Sequence, residues 1–163
     1  MPPASFPAKL AQVLHTRWAA GKPGVIVLAC ELIDHNGEEL LRIMNQYVSD
    51  WGWEDEFSQW MANDCTVCTT LVDTIVPGRI RDPKEAAAVA ERLGYEDPFL
   101  AVREPFQMWG IQGDESLAEK LPFVKAGLPG VFVTPDVTPY KKRKVRILNG
   151  AHTAFVPAPG CRL

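Results

Sequence analysis

The apolar run Gly24-Val-Ile-Val-Leu-Ala-Cys30, followed by the polar turn Asp34-His-Asn-Gly37, decides the fold class of this chain. A continuous apolar run of this length is typical of a strand covered on both faces of a parallel sheet. After the turn, apolar residues from Leu40 to Trp51 recur at helical spacing, and Asn36 with Glu39 fits a helix-capping pair. The pattern predicts an α/β fold, in which the first fifty residues form the last part of a nucleotide-binding sheet.

The rest of the chain continues as short elements punctuated by Pro and Gly. The predicted elements are helices at 7–20, 54–63, 82–93 and from Thr138 through Asn149 towards Phe155, strands at 25–30, 67–76 and 131–133, and an extended segment at 99–109. A shift in composition near Pro77–Asp82 suggests a domain boundary. We therefore predict a division of the chain into 1–80 and 81–163.

Bulk features narrow the class of protein. The net charge of -3 disfavours a nucleic-acid partner. No apolar run reaches the roughly 20 residues of a membrane helix, and no signal peptide is visible, so we expect no membrane partner. Four cysteines in such a chain suggest reduced thiols in the cytoplasm. None of the glycines forms G-x-G-x-x-G or G-x-x-x-x-G-K-[ST], so the sequence has no phosphate-cradling loop.

Cys65 and Cys68 form a C-x-x-C motif. A zinc site would need a second cysteine pair or histidines at ligand spacing, and none is near. The surrounding Thr-rich apolar sequence reads as a strand, in which positions i and i+3 point to opposite faces. We therefore expect two packed cysteines and no metal, with a thiol redox or zinc protein as the alternative.

The stretch Lys141-Lys-Arg-Lys-Val-Arg146 places cations at the start of a predicted helix, where the macrodipole favours carboxylates. Local rules broken in this way are expected at functional sites. At roughly 100° per residue, Lys144 and Asn149 lie about 140° apart with His152 between them. They share a face with Val145 and Leu148, and this face should be buried.

That face carries groups suited to alcohol–ketone chemistry. Neighbouring cations disfavour a further ammonium ion, so Lys144 can give and take a proton at cellular pH. Asn149 can donate a hydrogen bond to a developing alkoxide, and His152 can bind a substrate hydroxyl. The alternative is a solvated basic face on which the histidine and the asparagine have only structural roles.

The segment Lys144-Val-Arg-Ile-Leu-Asn149-Gly-Ala-His152 resembles the signature helix of the long-chain mannitol dehydrogenase family of polyol and uronate dehydrogenases. Four further segments resemble the family in the same order, and the similarity runs from Ser5 to about Ala154. They are Cys30-Glu-Leu-Ile-Asp-His-Asn-Gly37, Thr70-Leu-Val-Asp-Thr-Ile-Val-Pro-Gly78, Arg103-Glu-Pro-Phe-Gln-Met-Trp109 and Asp136-Val-Thr-Pro-Tyr140.

The resemblance implies an NAD-dependent enzyme that interconverts tagaturonate and altronate. It also implies the C-terminal part of a Rossmann-type NAD-binding domain at 1–80 and the N-terminal part of a mainly helical catalytic domain at 81–163, both incomplete. It implies Lys144 as the general acid–base, Asn149 polarising the carbonyl oxygen and His152 contacting substrate. Asp73 matches a substrate-side aspartate, although capping a turn would also explain it. A sugar-acid substrate suits the cations, of which we single out Lys141 and Arg146 as carboxylate partners. Glu104 matches a family acid that could equally pair with a local cation, and Trp109 is expected in the core.

Two departures from the family pattern leave alternatives open. Leu32 stands where mannitol-type members carry a second oxyanion-stabilising asparagine, which speaks against mannitol, and Asn36 could replace that residue or simply cap a helix. The helix after His152 meets a Pro-rich tail at 157–163, which suggests a truncation or frame shift. The alternatives are a mannonate/fructuronate or polyol dehydrogenase, and an inactive module that self-associates through exposed surfaces.

Overall fold

The computed structural model describes residues 3–155. Its helices are α1 (Phe6–Ala19), α2 (Asn36–Trp51), α3 (Asp55–Asn63), α4 (Pro83–Leu93), α5 (Glu115–Lys120), α6 (Pro122–Lys125), α7 (Thr138–Arg143) and α8 (Gly150–Phe155), with a π-helical segment (Lys144–Asn149) between the last two. Its strands are β1 (Ile26–Leu28), β2 (Thr66–Cys68), β3 (Thr70–Asp73), β4 (Met108–Gln112) and β5 (Val131–Thr134).

The strands form two small sheets. β1 pairs in parallel with β2, with Ile26 opposite Thr66. In the second sheet β4 is central, antiparallel to β3 and parallel to β5. The parallel pair is linked by α2 and α3, as a parallel connection requires. The predicted α/β class is therefore confirmed.

The core lies in two clusters. The larger one packs α1, α2 and α3 together and consists of Ala11, Leu14, Met44, Val48, Phe57 and Met61. The smaller one joins the two sheets through Cys68 and Ile111 and is covered by Leu117 and Leu121 from the segment around α5. The two sheets are thereby held side by side.

The strand predicted at 67–76 is two strands in two different sheets. β2 ends at Cys68 and β3 begins at Thr70, so the chain changes partners at Thr69. The prediction of one strand was wrong because the local sequence is apolar and β-branched throughout. Pairing with β1 and with β4, both distant in sequence, decides where the strand divides.

Two other predicted extended segments are shorter than expected. The run at 25–30 forms three paired residues, and these are half-buried rather than covered on both faces. Within 99–109 the strand begins only at Met108, after Pro105, which has no amide hydrogen for a ladder bond. The segment before it makes a single bridge, between Gly78 and Val102.

The predicted helix starts agree with the structure except at α2. Asp82 caps α4 by accepting from the Lys84 amide at 2.9 Å, with Pro83 at the first position. At α2 the predicted Asn36 cap was wrong. His35 occupies the cap position at φ 51°, without a capping side-chain bond, and Asn36 is the first helical residue. The side chain of Asn36 is engaged elsewhere.

Cys65 and Cys68 are free thiols, and both are buried. Burial raises the pKa of each thiol. Among residues 3–155 no group of three or more His, Cys, Asp or Glu side chains could hold a metal ion. No helix in that range is long and apolar enough to cross a membrane.

The predicted domain boundary near residue 80 falls between β3 and α4. Strands from the two sides of it, β3 and β4, pair with each other in one sheet. The division into 1–80 and 81–163 stays a prediction.

Candidate active site

Lys144 and Asp73 meet at the centre of the candidate site. β3 ends at Asp73, and the π-helical segment begins at Lys144. The Lys144 Nζ lies 2.8 Å from the Asp73 Oδ1, and the two side chains are only 20% and 12% exposed. The structure therefore brings together two of the predicted site residues in a largely desolvated ion pair, where charge-assisted contacts are strong.

Lys144 separates two cavities. The first, of about 410 Å³, contains Asp73 and Glu104 on an otherwise largely apolar wall that includes Met108 and Tyr140. The second, of about 640 Å³, is lined by the loop 31–35, the strand segment 69–72 and the polar groups of the helix. The loop and this strand segment follow the carboxyl ends of β1 and β2, which is where α/β sheets bind ligands.

The cations of the basic run have different partners. Lys141 pairs with Asp34 of the loop 31–35, and it is Lys144, not Lys141, that reaches Asp73. Lys142 and Arg146 are exposed and line the second cavity. Neither forms an ion pair with a carboxylate in the described part of the chain. Both can therefore contact an anionic ligand in that cavity, although Lys142 also lies near enough to Asp136 to lower the pKa of that carboxyl.

Asn149 also lines the second cavity, and its relation to Lys144 differs from the prediction. The segment 144–149 is π-helical, and the Gly150 amide bonds to the Val145 carbonyl five residues earlier. A bond from i to i+5 brings residues five apart closer to one face than an α-helix does. The expected separation of about 140° on an α-helical wheel was therefore wrong, in the direction that favours a shared site.

His152 lies in α8. Its side chain lies outside the described residues, so its predicted contact with substrate stays a prediction.

The apolar side of this helix is not buried. Val145 is 46% exposed and Leu148 is 38% exposed, against the prediction that the face carrying Lys144 packs into the core. Within the π-helical segment Lys144 is the one residue that is not exposed, and Asp73 holds it there. This segment is therefore held at the sheet by a polar contact, whereas α7 before it packs Tyr140 on Phe132.

Asn36 does not replace the missing second asparagine of the family pattern. Its Nδ2 donates to the carbonyls of Glu31 and Thr70, at 2.9 and 3.0 Å, and its Oδ1 accepts from the Thr70 amide at 2.9 Å. No donor is left for a substrate oxygen. Leu32 is 85% exposed and lines the second cavity.

Glu104 and Trp109 take structural positions. The Glu104 carboxylate accepts from the Ile75 amide at 2.7 Å, rather than from a local cation, while its own amide donates to the Ile75 carbonyl. Trp109 stacks on Phe123 with ring centroids 5.2 Å apart, beside the smaller core cluster. Glu104 still lines the first cavity.

Three residues at the site were not predicted to act there. The Asp136 carboxylate accepts a hydrogen bond from the Thr138 amide at 2.7 Å, which fixes the start of α7. Hydrogen bonds from the side chain and the backbone amide of Thr138 hold the pKa of Asp136 below its usual range. The pattern Asp-x-Thr-Pro before a helix could have indicated this role. The sequence predicts Asp34 only as part of a turn, and no local pattern indicates its ion pair with Lys141. Tyr140 packs on Phe132 and lies under the Arg143 guanidinium.

The arrangement suits proton transfer next to a bound alcohol or ketone. A lysine held by one carboxylate and open to two cavities can exchange a proton with a substrate hydroxyl. Asn149, Lys142 and Arg146 line the second cavity together with Lys144. The fit to a dinucleotide is partial. The second cavity lies beyond the carboxyl ends of parallel strands, but the sequence holds no glycine-rich loop for a pyrophosphate.

Comparison with known proteins identifies the family of this chain. The family model for the mannitol dehydrogenase Rossmann domain matches residues 2–125. Altronate oxidoreductase of Yersinia enterocolitica is 48% identical over 160 residues, which cover 96% of this chain and 32% of that protein. The altronate oxidoreductases of Klebsiella pneumoniae and Escherichia coli O7:K1 are 46% and 45% identical with the same coverage. The chain thus spans about a third of the length of these relatives.

Two solved structures share the fold. One is a substrate-free D-sorbitol dehydrogenase, with a TM-score of 0.69 and 26% identity over 92% of this chain and 29% of that one. The other is a Pseudomonas fluorescens mannitol 2-dehydrogenase in a ternary complex with NAD and D-mannitol, with a TM-score of 0.66 and 25% identity over 93% of this chain and 29% of that one. The expected Rossmann-type fold is confirmed by these similarities.

Proposed function

The chain belongs to the mannitol dehydrogenase family, and from this premise we propose that it is the segment of an altronate oxidoreductase that carries the proton-transfer residues. The whole enzyme interconverts altronate and tagaturonate with NAD. The observation that carries the proposal is the Lys144–Asp73 pair between two cavities, one of which lies beyond the carboxyl ends of parallel strands.

NAD is the proposed cofactor because a relative of this fold binds it. When bound, NAD accepts or returns the hydride at the carbon that carries the reacting hydroxyl. In the described part of the chain, the second cavity is the proposed place for its reactive end, between the loop 31–35 and the helix of Lys144. Since the sequence contains no glycine-rich loop, we propose that groups outside it hold the pyrophosphate.

Lys144 is the proposed general acid–base. In altronate oxidation Lys144 takes the hydroxyl proton as the carbonyl forms, and in reduction it gives a proton back to that oxygen. Asn149 donates to the same oxygen and stabilises negative charge that develops on it. His152 is proposed to bind a neighbouring hydroxyl. Asp73 holds Lys144 through one carboxylate oxygen, and the other oxygen is proposed to accept from a substrate hydroxyl.

Recognition of the substrate carboxylate is assigned to the basic run. Lys141 and Arg146 are both proposed to act, but in different ways. Arg146 lines the second cavity without an ion-pair partner in the described residues, so it is the direct partner, and a guanidinium matches a carboxylate in a bidentate contact. Lys141 is paired with Asp34, so it contributes by holding the loop 31–35 and adding positive potential.

The test compares a uronate with a neutral ketose in the full-length protein that contains this chain. We expect kcat/KM with NADH to be at least roughly tenfold higher for tagaturonate than for fructose, because a charge-assisted contact contributes about 1.5–3 kcal/mol and ~1.4 kcal/mol already gives that factor. Arg146→Gln should reduce this ratio, and added salt should do the same for an exposed contact. Fructuronate is included in the same substrate panel, because a higher kcat/KM for fructuronate than for tagaturonate would favour the mannonate-type alternative.

A second pair of variants tests the assigned chemistry. Lys144→Ala should lower kcat by about two to four orders of magnitude, the usual contribution of general acid–base catalysis. Lys125→Ala is the control, since Lys125 pairs with Glu119 and lines neither cavity. Normal turnover by Lys144→Ala, or equal efficiency on tagaturonate and fructose, would contradict the proposal.

A further inference from the structure

Asn36 is a buried amide whose hydrogen bonds are all made to the backbone. It is 3% exposed and lies in the first turn of α2. Its Nδ2 and Oδ1 form a two-point contact with the carbonyl and the amide of Thr70, and Nδ2 also reaches the Glu31 carbonyl. Because β3 is an edge strand, the side chain of Asn36 takes the place that a neighbouring strand would have at Thr70.

The contact leaves Asn36 no direct access to substrate. Neither the cavity beside Asp73 nor the one beside Asn149 includes it in its wall, although His35 and Thr70 line the latter. Any effect of Asn36 on the reaction must therefore pass through the two segments that it joins.

The junction around Asn36 has little room for adjustment. The Thr70 hydroxyl donates to the Ala29 carbonyl at 2.5 Å, which joins the end of β1 to the start of β3. A Cβ added to Gly37 would lie 2.4 Å from the Thr69 amide nitrogen and 2.5 Å from the Cys68 carbonyl carbon. The first turn of α2 is thus pressed against the point where the chain passes from one sheet to the other.

Each of the two segments held by Asn36 carries a carboxylate that contacts the helical region containing Lys144. From Thr70 the strand runs three residues to Asp73, whose carboxylate contacts Lys144. From Glu31 the loop runs to Asp34, which pairs with Lys141. The Asn36 side chain therefore fixes the spacing between Asp73 and Asp34, the two carboxylates that hold this helical region.

We propose that Asn36 is a positioning residue for proton transfer, which acts by fixing β3 and the loop 31–35 so that Asp73 presents Lys144 to the substrate. The inference rests on the proposed function of Lys144. It assigns to Asn36 a role that is neither helix capping nor oxyanion binding.

The test uses the full-length dehydrogenase that contains this chain. Asn36→Ala should lower kcat by roughly 10- to 100-fold, since small displacements of reacting groups have effects of that size, while KM changes by less than about threefold. Met44→Ala is the matched control on the same helix. Met44 is fully buried in the larger core cluster, so its truncation should lower the melting temperature without changing kcat of the folded enzyme.

A double-mutant cycle separates positioning from general destabilisation. In an Asp73→Asn background, Asn36→Ala should have little further effect on kcat, because the contact it positions is already lost. Additive losses in kcat, or an unchanged kcat in Asn36→Ala, would overturn the inference. If Asn36→Ala does not fold, the isosteric Asn36→Asp is judged by the same two criteria. Normal kcat in both Asp73→Asn and Lys144→Ala would instead refute the proposed function itself.

Discussion

At the residue scale, the side chains of Lys144 and Asp73 form an ion pair at the centre of the candidate site. Each was predicted as a site residue, Lys144 from its helix and from a family resemblance, and Asp73 from the resemblance alone. The contact between them was not predicted, because the two lie on elements that are distant in sequence. The cations on its own helix are local in sequence, whereas the nearest charged partner of Lys144 is a carboxylate at the end of β3.

The prediction that Asn36 caps α2 was wrong for a similar reason, because a partner of its side chain is distant in sequence. An asparagine three residues before a glutamate, ahead of an apolar periodic run, fits a capping pair. In the structure the tertiary partner prevails, and the amide bonds to Glu31 and Thr70. His35 takes the position before the helix in a left-handed conformation, which a histidine adopts only uncommonly. A one-dimensional pattern cannot show that a distant strand edge competes for the same side chain.

The buried thiols give a prediction at this scale. Burial raises the pKa of Cys65 and Cys68 above the ordinary value of 9.0, whereas Cys30 is exposed. Alkylation requires the thiolate and access to it. At pH 8, iodoacetamide should therefore modify Cys30 at least roughly tenfold faster than Cys65 or Cys68, as measured by site-resolved mass spectrometry.

The unfolded chain in urea is the control, because there all three thiols should react at similar rates. The linked effect on stability has a definite sign. A folded-state pKa above the unfolded value contributes stability that is present below pH 9 and is lost as pH rises through the folded pKa. A folded chain in which Cys65 reacts as fast as Cys30 would show that the thiols are not buried in solution.

At the level of elements, the longer helices were largely predictable, the short helices α5 and α6 were not predicted, and the strands were predicted only in part. The start of α4 follows from Asp82 and Pro83, and α2 follows from its apolar periodicity. These signals are local. The division of 66–73 into two strands depends on partners elsewhere, and the π-helical segment has no local signal that distinguishes it from α-helix. Such segments occur frequently at functional sites, in agreement with the position of Lys144.

The close approach of α2 to the sheet junction can be tested with two glycines of one helix. Gly37→Ala should lower the free energy of unfolding by about 3 kcal/mol, because the added Cβ meets backbone atoms that cannot move aside. Gly52→Ala is the control. Gly52 ends α2 at φ 63° in open space, so only conformational strain of about 1 kcal/mol is expected. Urea unfolding of the 163-residue chain measures both.

A smaller loss for Gly37→Ala than for Gly52→Ala would mean that the junction is looser than the structure shows. Circular dichroism before the titration establishes that each variant is folded. The comparison isolates the junction because each substitution adds one methyl group at an end of α2, and only the one at Gly37 meets the sheet junction.

For the whole molecule, the family was recognisable from five ordered segments, and the comparisons confirm it. The fold class followed from one apolar run and its helix. The organisation of the surface was harder to predict. Large apolar side chains stand exposed in several regions, among them Leu32 and Phe99 at 85% and Ile147 at 66%. Exposed apolar surface of this kind favours association, so the predicted self-association of the isolated chain stays open to measurement by size-exclusion chromatography.

The last prediction concerns the cofactor. The second cavity offers room beyond the carboxyl ends of parallel strands, but the sequence holds no glycine-rich turn at a helix N-terminus, and that feature supplies the amides that bind a pyrophosphate. Without those contacts the reactive end of NADH alone must provide the affinity. We therefore expect the 163-residue chain to bind NADH with a Kd above roughly 1 mM, a standard free energy weaker than about −4 kcal/mol. Isothermal titration calorimetry measures it, with the full-length dehydrogenase as the positive control and size-exclusion chromatography of the same samples to establish the associating species. Micromolar binding by the isolated chain would show that residues of this sequence hold the pyrophosphate without a glycine-rich loop.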